Sequence, residues 1–342
     1  MNESLQRETE RLTRSWMRHE AAWLRDYMVA GVEDPRINIQ SILTRQFLVR
    51  GFSGERFAGL MQQELRFGAV MNWLRKLAGQ TSEPEEFENV LYALRRGADN
   101  AEGIEIPAFI AQLFARLPAE IRELTVTVTN YVERFLSGTE FIERRARHPE
   151  ATLNLFQNLW NTALSPGGFG AVPSVLEPAC GSASDYRFIE AYGMARFIDY
   201  TGLDLCPRNI DNARALFPSA QVRVGNVFEI DAPEKAYDFC IIHDLFEHLS
   251  IEGMQEAVGE VCRVTRSGLC VGFFQMDEIP EHVARPVEEY HWNLLSMARM
   301  KQLFLAHGFA AQAINIGSFL HQEIGCEQTH NPNAYTFFLR RS

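Results

Sequence analysis

The run Val175-Leu176-Glu177-Pro178-Ala179-Cys180-Gly181-Ser182-Ala183-Ser184-Asp185-Tyr186 constrains the fold more than any other stretch of the chain. It reads as a buried strand that ends in an acidic residue and runs through a turn of small residues into a helix. Small side chains at Ala179, Gly181 and Ala183 let the main chain come close to a bound nucleoside, and the amides at the helix start stay free to donate. Further on, Tyr200-Thr201-Gly202-Leu203-Asp204 reads as a second strand. Its terminal carboxylate is placed to grip a ribose diol, as an acidic residue about 20 positions downstream does in nucleotide-binding βαβ units.

The letters of the turn separate two kinds of ligand. A dinucleotide fingerprint needs G-x-G-x-x-G so that a pyrophosphate can rest on the helix N-terminus. Here the pattern is E-x-A-x-G-x-A, with Ser184 where the last glycine would stand. The carboxylate of Glu177 would repel a pyrophosphate, yet it suits the ammonium of a ligand that carries an amino acid, directly or through a water. S-adenosylmethionine carries that ammonium and is the cofactor expected.

From Leu176 to Phe274 the chain resembles the core of a class I S-adenosylmethionine-dependent methyltransferase. The family's first motif has an acidic residue followed by G-x-G-x-G, and this chain departs from it with Ala179 and Ala183 at the outer glycine positions. Gly202-Leu203-Asp204-Leu205-Cys206-Pro207 resembles the second motif, which implies Asp204 as the ribose ligand and Leu205 as a wall against adenine. Val224-Gly225-Asn226-Val227 resembles the segment that reads the adenine edge. Many members carry Asp where Asn226 stands, and an amide, which both donates and accepts, can still bond the adenine rim. Tyr237 to His243 resembles the fourth strand, Asp244 to Ser250 the turn after it, and Glu260 to Val264 the helix leading to a fifth strand near Leu269 to Phe274. The resemblance implies seven strands, the last antiparallel.

A chain of 342 residues has room for two domains. The first 150 or so show apolar residues at helical spacing, broken by Gly, Pro and Asp, and no period-2 strand. One helix is expected to carry the stripe Leu12, Trp16, Trp23, Leu24 and Tyr27, with others over Ile37–Val49, Glu55–Leu77, Phe87–Arg96, Pro107–Leu117, Pro118–Phe135 and Asn154–Leu164. The loop Ser165 to Gly170 sets the boundary, so that 1–165 forms an all-helical cap and 166–342 the Rossmann-like catalytic domain. After that loop, strands and helices alternate, which requires an open, mostly parallel sheet with helices on both faces. The fold class is therefore α/β, a seven-stranded sheet with a large helical cap. Strands are expected over Ser174–Glu177, Phe197–Asp204, Gln221–Gly225, Phe239–His243, Leu269–Phe274, Ala311–Ile316 and Tyr335–Arg340.

A formal charge of -11 disfavours a nucleic-acid partner, because phosphate binding draws on clustered Lys and Arg. The six cysteines lack the short paired spacings of a zinc site and read as reduced, mostly buried thiols. Met1 to Arg14 lacks the apolar core of a signal peptide, and no apolar run reaches the roughly 20 residues of a membrane span. A soluble, cytoplasmic protein is expected, with no membrane partner and a homodimer left open. The arginines 11, 14, 18 and 25, interleaved with acids, read as a solvated helix face.

Methyl transfer from a sulfonium is an in-line displacement that needs positioning, dryness and, for some acceptors, a general base. His243, Glu247 and His248 cluster with Asp244 after the fourth strand, at the carboxyl edge where open α/β sheets bind ligands. They are the candidates for catalysis, alongside the alternative that Glu247 and His248 only bond backbone near the next helix. Asn154 is a further catalytic candidate and Asn158, on the same helix face, a substrate contact; their amides could bind the amino-acid end of the donor or, alternatively, face solvent. Tyr290 and Trp292 are candidates for the substrate wall, against the alternative of a packed surface loop. The cofactor set is Glu177, Ala179, Gly181, Tyr186, Asp204, Leu205, Asn226, Val227 and His243; Tyr186 reads equally as a helix-face core residue.

Three functions fit these residues. In the first, the chain methylates a small molecule, in specialised metabolism. In the second, S-adenosylmethionine is the sole substrate and closes on itself to azetidine-2-carboxylate and methylthioadenosine, chemistry that needs a constrained apolar box and a neutral amine and leaves little trace in sequence. In the third, the chain is a non-catalytic sensor of the nucleoside.

Overall fold

The computed structural model describes residues 1–31, 38–78, 84–101, 103–117, 119, 122, 154–164, 171–324 and 331–342. The helix expected over Pro118–Phe135 and the boundary loop 165–170 lie outside the described residues, apart from residues 119 and 122.

The stripe read as one helix is two, α1 (Glu3–Trp16) and α2 (Ala21–Gly31), separated by a turn at Met17. Then come α3 (Ile39–Ser53), α4 (Ala58–Ala78) and α5 (Pro84–Arg95). A small hairpin, β1 (Asn100–Ala101) and β2 (Ile104–Glu105), interrupts the half expected to be wholly helical. Strands of two residues are too short to leave an alternating pattern, so periodicity could not reveal them. Helices α6 (Ala108–Ala115) and α7 (Asn154–Leu164) close the described part of this half.

The second half alternates as expected: β3 (Ser174–Pro178), α8 (Ser184–Ala191), β4 (Asp199–Asp204), α9 (Pro207–Leu216), β5 (Gln221–Val224), β6 (Tyr237–His243), α10 (Ile251–Val264) and β7 (Thr265–Phe273). Short strands β8 (Met276–Asp277), β9 (Pro286–Val287), β10 (Tyr290–His291) and β11 (Leu295–Ser296) precede α11 (Met297–Ala306), β12 (Phe309–Asn315), α12 (Ile316–Ile324) and β13 (Tyr335–Arg341). The seven-stranded sheet runs β12-β13-β7-β6-β3-β4-β5. Its pairs are parallel except those of β13, which is antiparallel to both neighbours.

Adjacent residues of each central strand go to opposite cores. Val175, Ile241 and Cys270 join one apolar cluster, while Leu176, Ile242 and Val271 join another. Burial on both faces is why these strands read as continuous apolar runs. The first cluster includes residues of α3 to α9, and the second residues of α10, α11 and α1. Helix α3 thus lies against a face of the sheet, with Phe47 edge-on to Phe239 at 5.8 Å, while α1 reaches the other side. Among the described residues no helix is long and apolar enough to cross a membrane.

Candidate functional site

Every second residue of the turn after β3 is left-handed: Ala179 at φ 58°, Gly181 at 55° and Ala183 at 63°. Glycine takes this conformation freely, whereas an L side chain costs about 1–2 kcal/mol. The two alanines therefore keep the backbone path of a glycine-rich turn at the expense of strain. Ala179 is exposed, so A179G gives up no buried surface. It is expected to raise stability by about 1 kcal/mol, read as a higher urea midpoint. An unchanged or lower midpoint would show that the turn carries no strain.

Asp204, at the end of β4, ties this turn down. One carboxylate oxygen accepts the Gly181 amide at 2.9 Å; the other accepts the Cys206 amide at 2.8 Å and Asn209 Nδ2 at 3.0 Å. Three of the roughly four lone pairs of this carboxylate are spent within the chain, which leaves one for a ribose hydroxyl.

Glu177 is buried and accepts the Tyr200 hydroxyl at 2.6 Å. Gly202 keeps that space open, since a Cβ there would lie 3.0 Å from the Tyr200 oxygen. Burial first, then the charge of Asp185, pushes the Glu177 pKa well above the carboxylate range. Acidic groups at 177, 185 and 204 thus crowd beneath the turn. A cationic ligand end, such as the ammonium of S-adenosylmethionine, would relieve that repulsion, and the residues present fit it.

Asp185, given no role from sequence, accepts His243 Nδ1 at 2.8 Å, and His243 Nε2 lies 2.7 Å from Thr44 Oγ1 on α3. Burial lowers the His243 pKa, but the charge and hydrogen bond of Asp185 outweigh it and the net shift is upward. Burial likewise raises Asp185, and the charge of His243, its hydrogen bond and the charge of Arg45 turn the net shift downward. Both ring nitrogens are thus engaged, and the Thr44 hydroxyl also bonds the Gln40 carbonyl at 3.0 Å. His243, expected to serve in catalysis, has both ring nitrogens bonded within the chain and latches α3 to the donor turn. Its contribution to stability is full below the unfolded histidine value of about 6.5 and is lost as pH rises through the raised folded value, whereas that of Asp185 is lost as pH falls through its lowered one. Gln40 reinforces the same helix by donating to the Phe273 and Tyr335 carbonyls at 3.1 and 2.8 Å. Nothing in the periodicity of α3 singles out these polar residues.

Beyond β6 lies a second cluster. Glu247 is fully buried; its Oε1 accepts the Phe274 amide at 2.8 Å, and its Oε2 has no hydrogen-bond partner. Burial and the Asp244 charge raise it to about 7. His248 donates to Asp244 at 3.0 Å and to the His291 carbonyl at 3.1 Å. Burial lowers its pKa, but Asp244 raises it further, to about 9, so it too carries its proton at neutral pH. Neither residue bonds the start of α10, the structural alternative weighed for them. His291, passed over in the sequence, is held below the usual histidine value by burial, and its Nδ1 is buried without a partner.

Trp292 and Tyr290 lie 5.0 and 5.7 Å from the His248 ring. Across from them, Tyr27 of α2 is raised in pKa by burial and by the charges of Asp244 and Tyr290. Its ring stacks on Trp23 at 4.7 Å and meets Trp16 edge-on at 6.3 Å. Arg18, in the turn between α1 and α2, pairs with Glu289 beside Tyr290. Trp16, Trp23, Tyr27, Tyr290 and Trp292 remain 37–42% exposed, two aromatic groups bridged by Arg18 and Glu289 and together termed the aromatic mouth. Three of the five come from the stripe expected on a single first helix.

Asn226 binds the Phe228 amide through Oδ1 at 3.0 Å and donates from Nδ2 to Thr9 of α1 at 2.9 Å. Leu205 and Val227 sit partly buried at the margin of the second core. Tyr186 corrects one expectation: it is buried against Tyr200 at 4.6 Å and Phe217 at 5.6 Å, a core residue of α8 rather than a cover for the donor. Its large apolar ring gains more from that packing than from a half-wet site. Asn158 is exposed on α7, whose Phe156 and Trp160 pack on Phe67 and Phe57. Asn154 opens that helix, and its side chain lies outside the described residues.

Residues 176–271 match the family described as methyltransferase domain. A probable S-adenosylmethionine-dependent methyltransferase of Mycolicibacterium smegmatis is 27% identical over 148 residues, covering 40% of this chain and 52% of that protein. The chain thus spans about half the length of the curated relative it matches. Similar solved structures include an S-adenosylmethionine-dependent methyltransferase of Mesorhizobium loti, 12% identical, covering 53% of this chain and 95% of that one with a TM-score of 0.40. Another is the Burkholderia thailandensis 1,6-didemethyltoxoflavin-N1-methyltransferase with bound 1,6-didemethyltoxoflavin and S-adenosylhomocysteine, 14% identical over 62% of this chain and 89% of that one, with a TM-score of 0.39. With the sheet order and the acid-bearing turn after β3, the match of residues 176–271 makes this half of the chain similar to the class I S-adenosylmethionine-dependent methyltransferases.

Proposed function

We propose that the chain transfers the methyl group of S-adenosylmethionine to a small molecule that enters through the aromatic mouth. The observation that carries this reading is adjacency: the mouth of Trp16, Tyr27, Tyr290 and Trp292 borders the segment 244–248 that follows β6, at the same sheet edge as the donor turn. Its charges are largely paired, Arg18 with Glu289 and His248 with Asp244, so the aromatic faces set its chemistry and suit a planar acceptor. When bound, S-adenosylmethionine supplies an electrophilic methyl carbon. The acceptor's lone pair forms the new bond to that carbon, the sulfur–methyl bond breaks, and S-adenosylhomocysteine leaves. A proton released by the acceptor goes to Glu247, whose unpartnered Oε2 and near-neutral pKa suit it to accept one.

One observation favours a second reading, the cyclisation of S-adenosylmethionine alone. Both imidazoles at this edge, His243 and His248, spend their nitrogens within the chain, which leaves neither to take a proton from an acceptor. There the α-amine would bond to the γ-carbon, the γ-carbon–sulfur bond would break, and methylthioadenosine and a proton would leave. Incubation of the purified chain with S-adenosylmethionine, with and without a panel of planar amines and phenols, separates the two. S-adenosylhomocysteine formed only with an acceptor supports methyl transfer. Methylthioadenosine formed without one, at a steady rate per enzyme, overturns it in favour of cyclisation.

A further inference from the structure

Helix α1 and the turn after it meet the segments that follow three strands of the sheet. Glu8 accepts the Ser250 amide at 2.7 Å and bonds its hydroxyl, while Asn2 donates to Glu252 at 2.8 Å. Gly253 makes room for Glu8, since a Cβ there would stand 2.7 Å from the Glu8 carboxylate. After β4, Arg208 donates to the Met17 carbonyl at 2.9 Å and to that of His19, and Cys206 Sγ lies 3.8 Å from Met17 Sδ. After β5, Thr9 takes its bond from Asn226 at 2.9 Å. Of the expected adenosine seat, Asn226 thus bonds α1 itself, and the segment just after Leu205 meets the turn that follows α1.

The amide of Asn226 has a fixed orientation, because the Phe228 amide can bond only to its oxygen. Its Nδ2 donates to Thr9 Oγ1, and Met1 Sδ, 3.5 Å from that nitrogen and 3.8 Å from Thr9 Oγ1, is the group a base would displace. Adenine presents the complement, a ring-nitrogen acceptor at N1 next to an amino donor at N6. We propose that Thr9, on a helix far from the motif region in sequence, is an adenine-reading residue of the cofactor site: Asn226 Nδ2 donates to N1, and Thr9 Oγ1 accepts from the N6 amino group. This rests on the reading of the chain as an S-adenosylmethionine enzyme and extends its adenosine seat to α1. Asn226 alone could not select adenine, since its oxygen is turned inward. A hypoxanthine base, with acceptor and donor exchanged, would face two mismatches, and a polar site left unpaired rejects its analogue strongly.

The test is calorimetric titration with S-adenosylhomocysteine and S-inosylhomocysteine, requiring no turnover. The wild-type chain should bind the adenosyl compound at least tenfold more tightly. T9V should lose about tenfold in affinity for it and leave the inosyl compound nearly unchanged, whereas T9S should keep wild-type discrimination. Equal affinities of T9V and wild type for S-adenosylhomocysteine would overturn the role of Thr9 while leaving the cofactor intact. Absence of any binding by wild type would overturn the cofactor reading itself. Should T9V fail to fold, hydrogen exchange on the wild-type chain decides the case: residues 5–13 should gain protection when S-adenosylhomocysteine binds, and no gain there refutes a roof made by α1.

Discussion

Replacing Asp204 by alanine is expected to lower stability by on the order of 3 kcal/mol and to abolish binding of S-adenosylhomocysteine. The first effect follows from the three donors it satisfies, the amides of Gly181 and Cys206 and the side chain of Asn209. A buried donor stripped of its partner costs roughly 1–3 kcal/mol, and relaxation with entering water recovers part of the total. The second follows because the turn at Ala179–Ala183 is held in left-handed geometry from this carboxylate, so its loss frees the backbone that faces the donor. Asp204 is itself raised in pKa, by burial, and its three hydrogen bonds only partly offset that cost. D204N separates the two effects: it keeps one acceptor oxygen, and it should cost less stability than D204A while still weakening binding by at least tenfold. Urea midpoints paired with calorimetry measure both. Wild-type binding by a folded D204A would refute the ribose-side assignment.

Glu247→Gln is expected to change how stability depends on pH. The folded chain holds this proton up to about pH 7, while an unfolded glutamate releases it near 4.5. Between those values the native state binds more protons than the unfolded state, so stability falls as pH rises through the window and levels off above it. A displacement of this size corresponds to about 3 kcal/mol. Glutamine keeps an acceptor for the Phe274 amide and has no proton to lose, so the E247Q curve should lack that decline. Turnover should fall about 10²-fold, as for a lost general base, with S-adenosylhomocysteine affinity kept. Parallel stability curves for the two proteins between pH 4.5 and 8 would mean that Glu247 is not a buried proton carrier. Unchanged turnover would move the proton acceptor elsewhere, with neutral His291 the next residue to test.

Much of the donor side is legible in the sequence because its requirements are local. Small residues at 179, 181 and 183 mark a turn that the backbone must take, and an acid at each of two strand ends marks the edge where ligands sit. The expected strands all form, within a few residues of their predicted ends, because burial on both faces writes them as apolar runs. The split of the first long stripe at Met17 was less legible, since the apolar spacing of Trp16, Trp23 and Tyr27 carries on through the break. The roles of the histidines were not legible at all. A histidine at a strand end looks the same whether its nitrogens are free or, as at His243, taken by Asp185 and Thr44.

By itself, then, the order of residues determined the α/β sheet, the acid-bearing turn and the class of cofactor, all of which rest on patterns repeated within a few positions. The tertiary structure alone decided that α3 latches onto the sheet through Thr44 and Gln40, and that α1 bonds Asn226 through Thr9. It also decided that rings from α2 and from the 290–292 segment share one mouth. Those are contacts between polar or aromatic groups more than 190 positions apart, and local propensity carries no term for such pairs; they exist only once burial of the apolar faces has brought the layers together.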